Sequence, residues 1–357
     1  MIYRAILAIR HLLYDKGAKK SERSPMPSIC IGNITVGGTG KTPHTEMVLR
    51  TLQRSEDWAF SNVAMLSRGY RRKTKGYQVV PMDASARAFG DEPSQIARKF
   101  PGVTVAVDKD RIEGCRNLSS FADIVVLDDA FQYRRLRADV NIVLVDYHRP
   151  IHKDSLLPFG KLRDLPSRLK DADIIIVTKC PSYLDEWERG KWASQLGMDG
   201  YGASSCKGVC RRNGKRQTLL FTTIGYCPME PVFEDADSRY MYSSRLLMMT
   251  GIASDKLLAG YLSDTYKIVR QFSFPDHHKF TACNLRTVSA AAKQVPTACI
   301  ATTEKDASRI RDVKKIPGNV RERLFQVPIE VRFLTEAEEE IFETTLSSLL
   351  KESRSGL

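Results

Sequence analysis

Between residues 28 and 178 the chain repeats one pattern six times: a short β-branched apolar run, then a stretch with helical spacing. The runs cover residues 28–31, 63–66, 103–107, 124–127, 142–145 and 174–177. Each is apolar at consecutive rather than alternate positions, so a strand built from it needs cover on both faces. A parallel sheet with helices on either side meets that need. Polar groups follow the C-terminal ends of the runs: Gly32-Asn33, Ser67-Arg68-Gly69, Asp128-Asp129, Asp146 and Thr178-Lys179. In open α/β sheets ligands bind along that edge. The expected fold class is α/β, a doubly wound parallel sheet with its chemistry on one rim.

The length, 357 residues with 42% hydrophobic and 27% charged, suits two globular domains. Asn213-Gly214 is a two-residue turn signal flanked by candidate strands at 209–212 and 215–220, which reads as a hairpin linker. Further strand candidates at 246–249, 268–274, 298–302 and 327–333 predict a second, smaller α/β unit. Thr335 and Glu338 have capping-box spacing and open a last helix that ends near Lys351. The expected divisions are an amphipathic helix over 1–24, a nucleotide-binding domain over 25–205, the hairpin linker over 206–235 and the second domain over 236–357.

The first run leads into GNITVGGTGKTP, residues 32–43. A phosphate-binding loop needs glycines for close backbone approach, a lysine for the β/γ-phosphates and a hydroxyl for Mg²⁺. Thr35, Val36, Gly37, Gly38, Thr39, Gly40, Lys41 and Thr42 form such a loop, with Thr35 standing where the first glycine of the usual pattern would be. A helical pattern follows, with Pro43 in its tolerated first-turn position. LDDA at 127–130 matches the strand-end acid of a P-loop NTPase, with Asp128 or Asp129 serving Mg²⁺. No guanine-reading N/TKxD is present: Thr178-Lys179 runs into Pro181, and TEKD at 303–306 places its lysine one position late. ATP is therefore the expected nucleotide. Asp91, in GDEP, reads either as a helix cap or as a general base at the rim, with Glu92 favouring the helix dipole. FPDHHKF at 274–280 offers Asp276, His277 and His278, without a third ligand for zinc.

The balance of 55 basic and 42 acidic residues, +13, suits an anionic partner. No nucleic-acid-reading module is recognisable. Eight cysteines without a CxxC pair read as reduced thiols, and Cys206/Cys210 has no companion pair at zinc spacing. No apolar run reaches the ~18–20 residues of a membrane span. At the N-terminus Ile2, Ile6, Ile9 and Leu13 share a helical face, with Tyr3, Leu7 and Leu12 beside it and Arg4, Arg10, Lys16, Lys19 and Lys20 around it. There is no small-residue cleavage site. Such a helix fits two readings, packing on its own domain or lying on an anionic bilayer.

Together these residues resemble the tetraacyldisaccharide 4'-kinase family, the lipid A 4'-kinases of Gram-negative bacteria. The motifs GNITVGGTGKTP, LSRGYRRK, GDEPSQIA, DKDR, LDDAFQYRRL, LLPFGKLRD, TGIASDK, FPDHHKF and TTEKDA come in family order over nearly the whole chain. The family's loop begins N-x-T/S-x-G-G, which accounts for Thr35. The resemblance implies transfer of the ATP γ-phosphoryl group to the 4'-hydroxyl of a tetraacyl glucosamine disaccharide 1-phosphate. It gives Lys41 and Thr42 to the ATP phosphates and Mg²⁺, with Asp128 and Asp129 completing the metal site. Asp91 resembles the catalytic base, hydrogen-bonded to His277 from the second domain. Arg111 and Arg163 match basic active-site residues, and Arg68 and Tyr70 the rim beside the substrate. A four-chain lipid substrate implies a peripheral enzyme on the cytoplasmic face of the inner membrane. The N-terminal helix would dock on that anionic surface, with no nucleic acid and no obligate protein partner. Two stretches depart from the family: DDAFQY for DDGFQH, placing Ala130 and Tyr133, and LRD for LRE, placing the shorter Asp164.

A nucleotide-switched membrane ATPase would use the same loops and helix but would not need Asp91 paired with His277. A basic nucleic-acid-binding ATPase would reveal itself by salt-sensitive oligonucleotide binding.

Overall fold

The computed structural model describes residues 2–58, 61–70 and 72–354. Arg71 of the LSRGYRRK stretch lies outside the described residues, as do Met1 and 355–357 at the ends of the first and last expected segments. All six expected strands form: β1 Ser28–Asn33, β2 Val63–Ser67, β3 Thr104–Val107, β4 Ile124–Asp128, β5 Val140–Asp146 and β6 Ile174–Thr178. With β7, Arg216–Tyr226, they make a parallel sheet in the order β7-β6-β5-β1-β4-β2-β3. Every residue of β1, β2, β4 and β6 is buried, as continuous apolar runs require. On β1, Cys30 enters the core on one face while Ile29 and Ile31 enter that on the other. Strands β2 and β3 lie to one side of β1 and β5 to β7 to the other. The switch point therefore falls at the end of β1, where the glycine loop begins.

The 206–235 stretch is not a free linker. Lys207–Cys210 pairs antiparallel with β7 through Lys207↔Thr218 and Val209↔Arg216, and β7 pairs with β6. The expected turn is present, with Gly214 at φ 71, but the hairpin extends the first sheet.

The second domain is a parallel sheet of β8 Arg245–Thr250, β9 Lys267–Ser273, β10 Cys299–Thr303 and β11 Leu324–Val327, ordered β11-β10-β8-β9. The run at 327–333 forms two strands, divided at Pro328, which has no N–H to give a ladder. The chain leaves the second sheet at Val327 and returns to the first as β12, Ile329–Phe333, antiparallel to β7 from Thr222↔Phe333 to Tyr226↔Ile329.

Five helices frame the site and its supports: α1 Ile2–Asp15, α2 Lys41–Arg54, α3 Asp91–Lys99, α4 Glu304–Arg311 and α5 Glu336–Arg354. Thr335 accepts from the Glu338 N–H at 3.2 Å, as the spacing predicts. The Glu338 carboxylate turns inward, to Arg189 at 2.8 Å and the Phe221 N–H at 3.0 Å. Phe342, Leu346 and Leu350 of α5 are buried in the first domain's core. The expected boundary over 236–357 is thus corrected: from Ile329 on, the chain belongs to the first domain.

Helix α1 uses its faces differently. Leu7 and His11 are buried against the first domain, whereas Ile2, Ile6 and Ile9 are 79%, 57% and 58% exposed. Among the described residues, no helix is long and apolar enough to cross a membrane.

Candidate active site

The loop takes its shape from the strand ends around it. Gly32 has to be glycine, because a Cβ there would lie 2.5 Å from the Cβ of Phe131. Thr35 forms an antiparallel bridge with Leu162, and the Val36 N–H donates to the Lys161 carbonyl at 2.7 Å. No left-handed backbone is required at position 35, and a β-branched residue suits the bridge. The left-handed positions fall on Gly37, φ 107, and on Gly40, φ 84, the N-cap of α2. Lys41 and Thr42 therefore occupy the first turn, where free N–H groups and the helix dipole favour an anion. Asn33 donates to the Thr39 hydroxyl at 2.6 Å, and Thr178 donates to the Thr39 carbonyl at 3.0 Å. The Lys179 ammonium reaches the Gly38 carbonyl while pairing with Asp146 at 2.6 Å.

Beside the loop stand the acids. Asp129, at φ 49, is gripped by Arg163, whose Nη1 donates at 3.1 Å and whose Nη2 donates to both Asp129 and Asn33. Lys41 Nζ lies 3.9 Å from Asp129. Asp128 is buried; one oxygen accepts from Ser67 at 3.2 Å and the other has no partner among the described residues. Burial first, then Glu92 and Asp129, push its carboxyl up to about 7, against the pull of Lys41 and Arg111. Glu92 moves oppositely, to about 2, because the Lys305 ammonium outweighs burial, helped by Lys41 and the Thr42 hydroxyl. Glu92, expected as a helix-dipole acid, therefore also stands beside the loop, within reach of Lys41 and Thr42.

The Thr42 hydroxyl and the Asp128 and Asp129 carboxylates, with one buried Asp128 oxygen that has no partner among the described residues, suit a hard divalent cation. Among the described residues, no group of three or more His, Cys, Asp or Glu side chains could by itself hold a metal ion. A cation here needs further ligands from phosphate and water, which is how Mg²⁺ is usually held.

The expected rim residues divide. Arg68 and Tyr70 are exposed, and the Tyr70 ring lies 6.4 Å from that of His277. Arg111 is buried and donates to two backbone carbonyls, Asp108 at 2.6 Å and Asp128 at 3.3 Å. It braces the end of β4 close to the acid cluster, where the charges of Asp128 and Asp129 act on it. Tyr133 donates to Asp110 at 2.9 Å, the N-capping residue of the helix that Arg111 begins.

Asp91 opens α3 after Gly90, φ 104, and His277 sits at φ 59 with its N–H on the Gly251 carbonyl at 3.1 Å. The structure brings them together, but their expected hydrogen bond is not formed: Nδ1 is 3.7 Å from Asp91 Oδ2. Arg309 of α4 joins both. It donates to Asp91 Oδ2 from Nε at 2.8 Å and Nη2 at 2.7 Å, and from Nη2 to His277 Nδ1 at 3.0 Å. A guanidinium has only donors, so His277 Nδ1 is the acceptor there. Arg309 is itself fixed by Asp306 at 2.9 Å and the Gly251 carbonyl at 3.1 Å. One turn earlier Lys305 meets Glu92 at 2.9 Å, and Lys99 bridges Glu46 and Glu304 at 2.7 Å each. Sequence reasoning missed Lys305 and Arg309. Their signal was the i,i+4 spacing on one helix face directly after the capping Thr303.

The chain matches the family described as tetraacyldisaccharide-1-P 4'-kinase over residues 1–351. It is 35% identical to a tetraacyldisaccharide 4'-kinase of Phocaeicola vulgatus, over 99% of this chain and 93% of that one. For the same-named protein of Parabacteroides distasonis the identity is 36%, over 96% and 90%; for that of Flavobacterium johnsoniae it is 33%, over 99% and 96%. Its fold is similar to a crystal structure of the "apo" form of LpxK from Aquifex aeolicus in complex with ATP. The TM-score is 0.72 and the identity 24%, covering 98% of this chain and 96% of that one. By the extent of the family match and the identity to its named relatives, the chain belongs to the tetraacyldisaccharide 4'-kinase family.

Proposed function

We propose that this protein transfers the γ-phosphoryl group of ATP to the 4'-hydroxyl of a tetraacyldisaccharide 1-phosphate in lipid A biosynthesis. The observation that carries the reading is the meeting of the phosphate loop with the Asp91–Arg309–His277 cluster, where the two domains join on one rim. Family membership supports the kinase activity and the acceptor. The Aquifex aeolicus complex with ATP supports the donor. A nucleotide switch without a lipid acceptor has no comparable support.

The loop amides and Lys41 bind the phosphates. Thr42, Asp128 and Asp129 would hold Mg²⁺, which when bound neutralises charge on the β- and γ-phosphates. Phosphoryl transfer depends mostly on positioning and charge stabilisation, so a strong base is not required. Both Arg309 bonds fall on Asp91 Oδ2, leaving Oδ1 to accept the sugar hydroxyl proton. His277 fixes Arg309 from the other side and faces the Tyr70 ring. Arg68 and Tyr70 line the way in for the substrate.

The enzyme sits peripherally on the cytoplasmic face of the inner membrane, docked through α1. The outward Ile2, Ile6 and Ile9 together with Arg4 support this, since apolar side chains flanked by positive charge suit an anionic lipid surface. An Ile6→Glu/Ile9→Glu double variant that keeps its fold is expected to stop floating with phosphatidylglycerol vesicles. Unchanged flotation would remove the docking claim.

A further inference from the structure

Helix α1 is fastened to the residues that grip the acid cluster. The Tyr3 hydroxyl donates to the Arg163 carbonyl at 2.9 Å. Two turns on, His11 Nε2 lies 2.5 Å from Asp164 Oδ1. Arg134, which can only donate, approaches His11 Nδ1 at 3.4 Å, so Nδ1 accepts and Nε2 carries the hydrogen to Asp164. Arg134 also donates to the His11 carbonyl at 3.1 Å, and it shares Asp15 with Lys170 at 2.7 and 2.9 Å. On the other side, the Arg163 and Asp164 N–H groups both turn to the Ile34 carbonyl, at 2.9 and 3.3 Å, next to the first residue of the phosphate loop. The Arg163 guanidinium holds Asp129 and Asn33. A single dipeptide therefore touches the outer helix, the loop and the acid cluster.

The choice of groups argues for more than packing. Asp164 and His11 are 1% and 7% exposed. Burying such a pair carries a desolvation cost that apolar residues of similar volume avoid, and its attested benefit is a fixed register between elements. Here the register set is that of α1 against 163–164, while the opposite face of the same helix is apolar and open to solvent.

We propose that Tyr3 and His11 are positioning residues for phosphoryl transfer: through the Arg163–Asp164 backbone they set the pose of the Arg163 guanidinium on Asp129. The helix that lies on lipid is thereby coupled to the acid cluster, and seating α1 on the surface seats Arg163. The turnover part of this rests on the kinase reading; the mechanical linkage does not.

The test uses full-length protein on phosphatidylglycerol vesicles carrying tetraacyldisaccharide 1-phosphate. Tyr3→Phe and His11→Ala are expected to lower kcat by about 10- to 100-fold, the scale of a 1 Å misplacement. Vesicle binding should be unchanged. His11→Gln, which keeps an N–H donor, should restore part of the rate. In the His11→Ala/Arg163→Ala double variant the loss should equal that of Arg163→Ala alone, because both act through one group. Additive losses, or an unchanged kcat in Tyr3→Phe and His11→Ala, overturn the proposal. A second arm needs no activity: amide exchange over residues 160–165 should quicken in both single variants, and unchanged exchange also overturns it. Should His11→Ala not fold, Tyr3→Phe, which deletes one hydroxyl, decides. A wild type that transfers no phosphoryl group would refute the kinase reading, and the exchange arm would still judge the linkage.

Discussion

Arg309 donates from both Nε and Nη2 to a single oxygen of Asp91, at 2.8 and 2.7 Å, and one of those nitrogens also serves His277. One guanidinium from the second domain thus sets the candidate base of the first. Lysine cannot reproduce that fork. Arg309→Lys is expected to lower kcat by about 10²-fold, as misplacement of a reacting group does, while nucleotide affinity stays near wild type. Steady-state kinetics beside nucleotide titration checks this. Lost affinity with intact kcat would make Arg309 a binding residue instead.

The buried Asp128 gives a pH signature. Its carboxyl is pushed up to about 7 by burial, Glu92 and Asp129. A cation binds the ionised form, so affinity for the Mg²⁺–nucleotide complex should fall as pH drops below about 7 and level off above it. Proton release on binding should appear in calorimetry as a dependence on buffer ionisation heat. Asp128→Asn should abolish that dependence; release that persists in the variant would assign the proton to another group.

His44 makes stability pH-dependent. It is fully buried, with Nδ1 donating to the Gly40 carbonyl at 2.7 Å and Nε2 accepting from Thr222 at 3.0 Å. Burial pushes its pKa down from 6.5 to about 4, with Lys179 adding and the Gly40 bond opposing. The unfolded chain therefore binds the proton first. The contribution is complete above about pH 6.5 and is lost as pH falls toward 4, about 2 kcal/mol of it by pH 5. Urea unfolding of wild type and His44→Gln at pH 7.5 and 5 should show this loss in wild type alone.

Phe342 tests where the C-terminal helix belongs. It is fully buried in the first domain's core, so Phe342→Ala should cost about 3–5 kcal/mol. The weakening should appear in denaturant titrations that follow nucleotide binding. A loss confined to the second domain would contradict the discontinuous arrangement.

What the sequence revealed follows from the range of the forces involved. The strands at 28–31 and 174–177 were legible because a strand covered on both faces must be apolar throughout. Thr35, Gly40 and Lys41 were legible because loop chemistry is local. The run at 327–333 misled because its alternation of Val327, Ile329, Val331 and Phe333 carries on across the change of sheet, which only Pro328 marks. Lys305 and Arg309 were not legible, and Glu92 was legible only as a helix-dipole acid, because each is ordinary in its own helix; what distinguishes them is a partner more than 200 residues away. Helix α1 presented two readings from one stripe, and the structure satisfies the packing one with a different face from the one left open.

The most direct measurement is label transfer from γ-labelled ATP to detergent-dispersed tetraacyldisaccharide 1-phosphate, with Lys41→Ala and Asp91→Ala beside wild type. The expected result is labelled lipid from wild type and none above background from either variant, with Asp91→Ala still binding nucleotide. ATP hydrolysis without labelled lipid, or undiminished transfer by Asp91→Ala, would contradict the assignment of this rim as a lipid 4'-kinase site with Asp91 as its base.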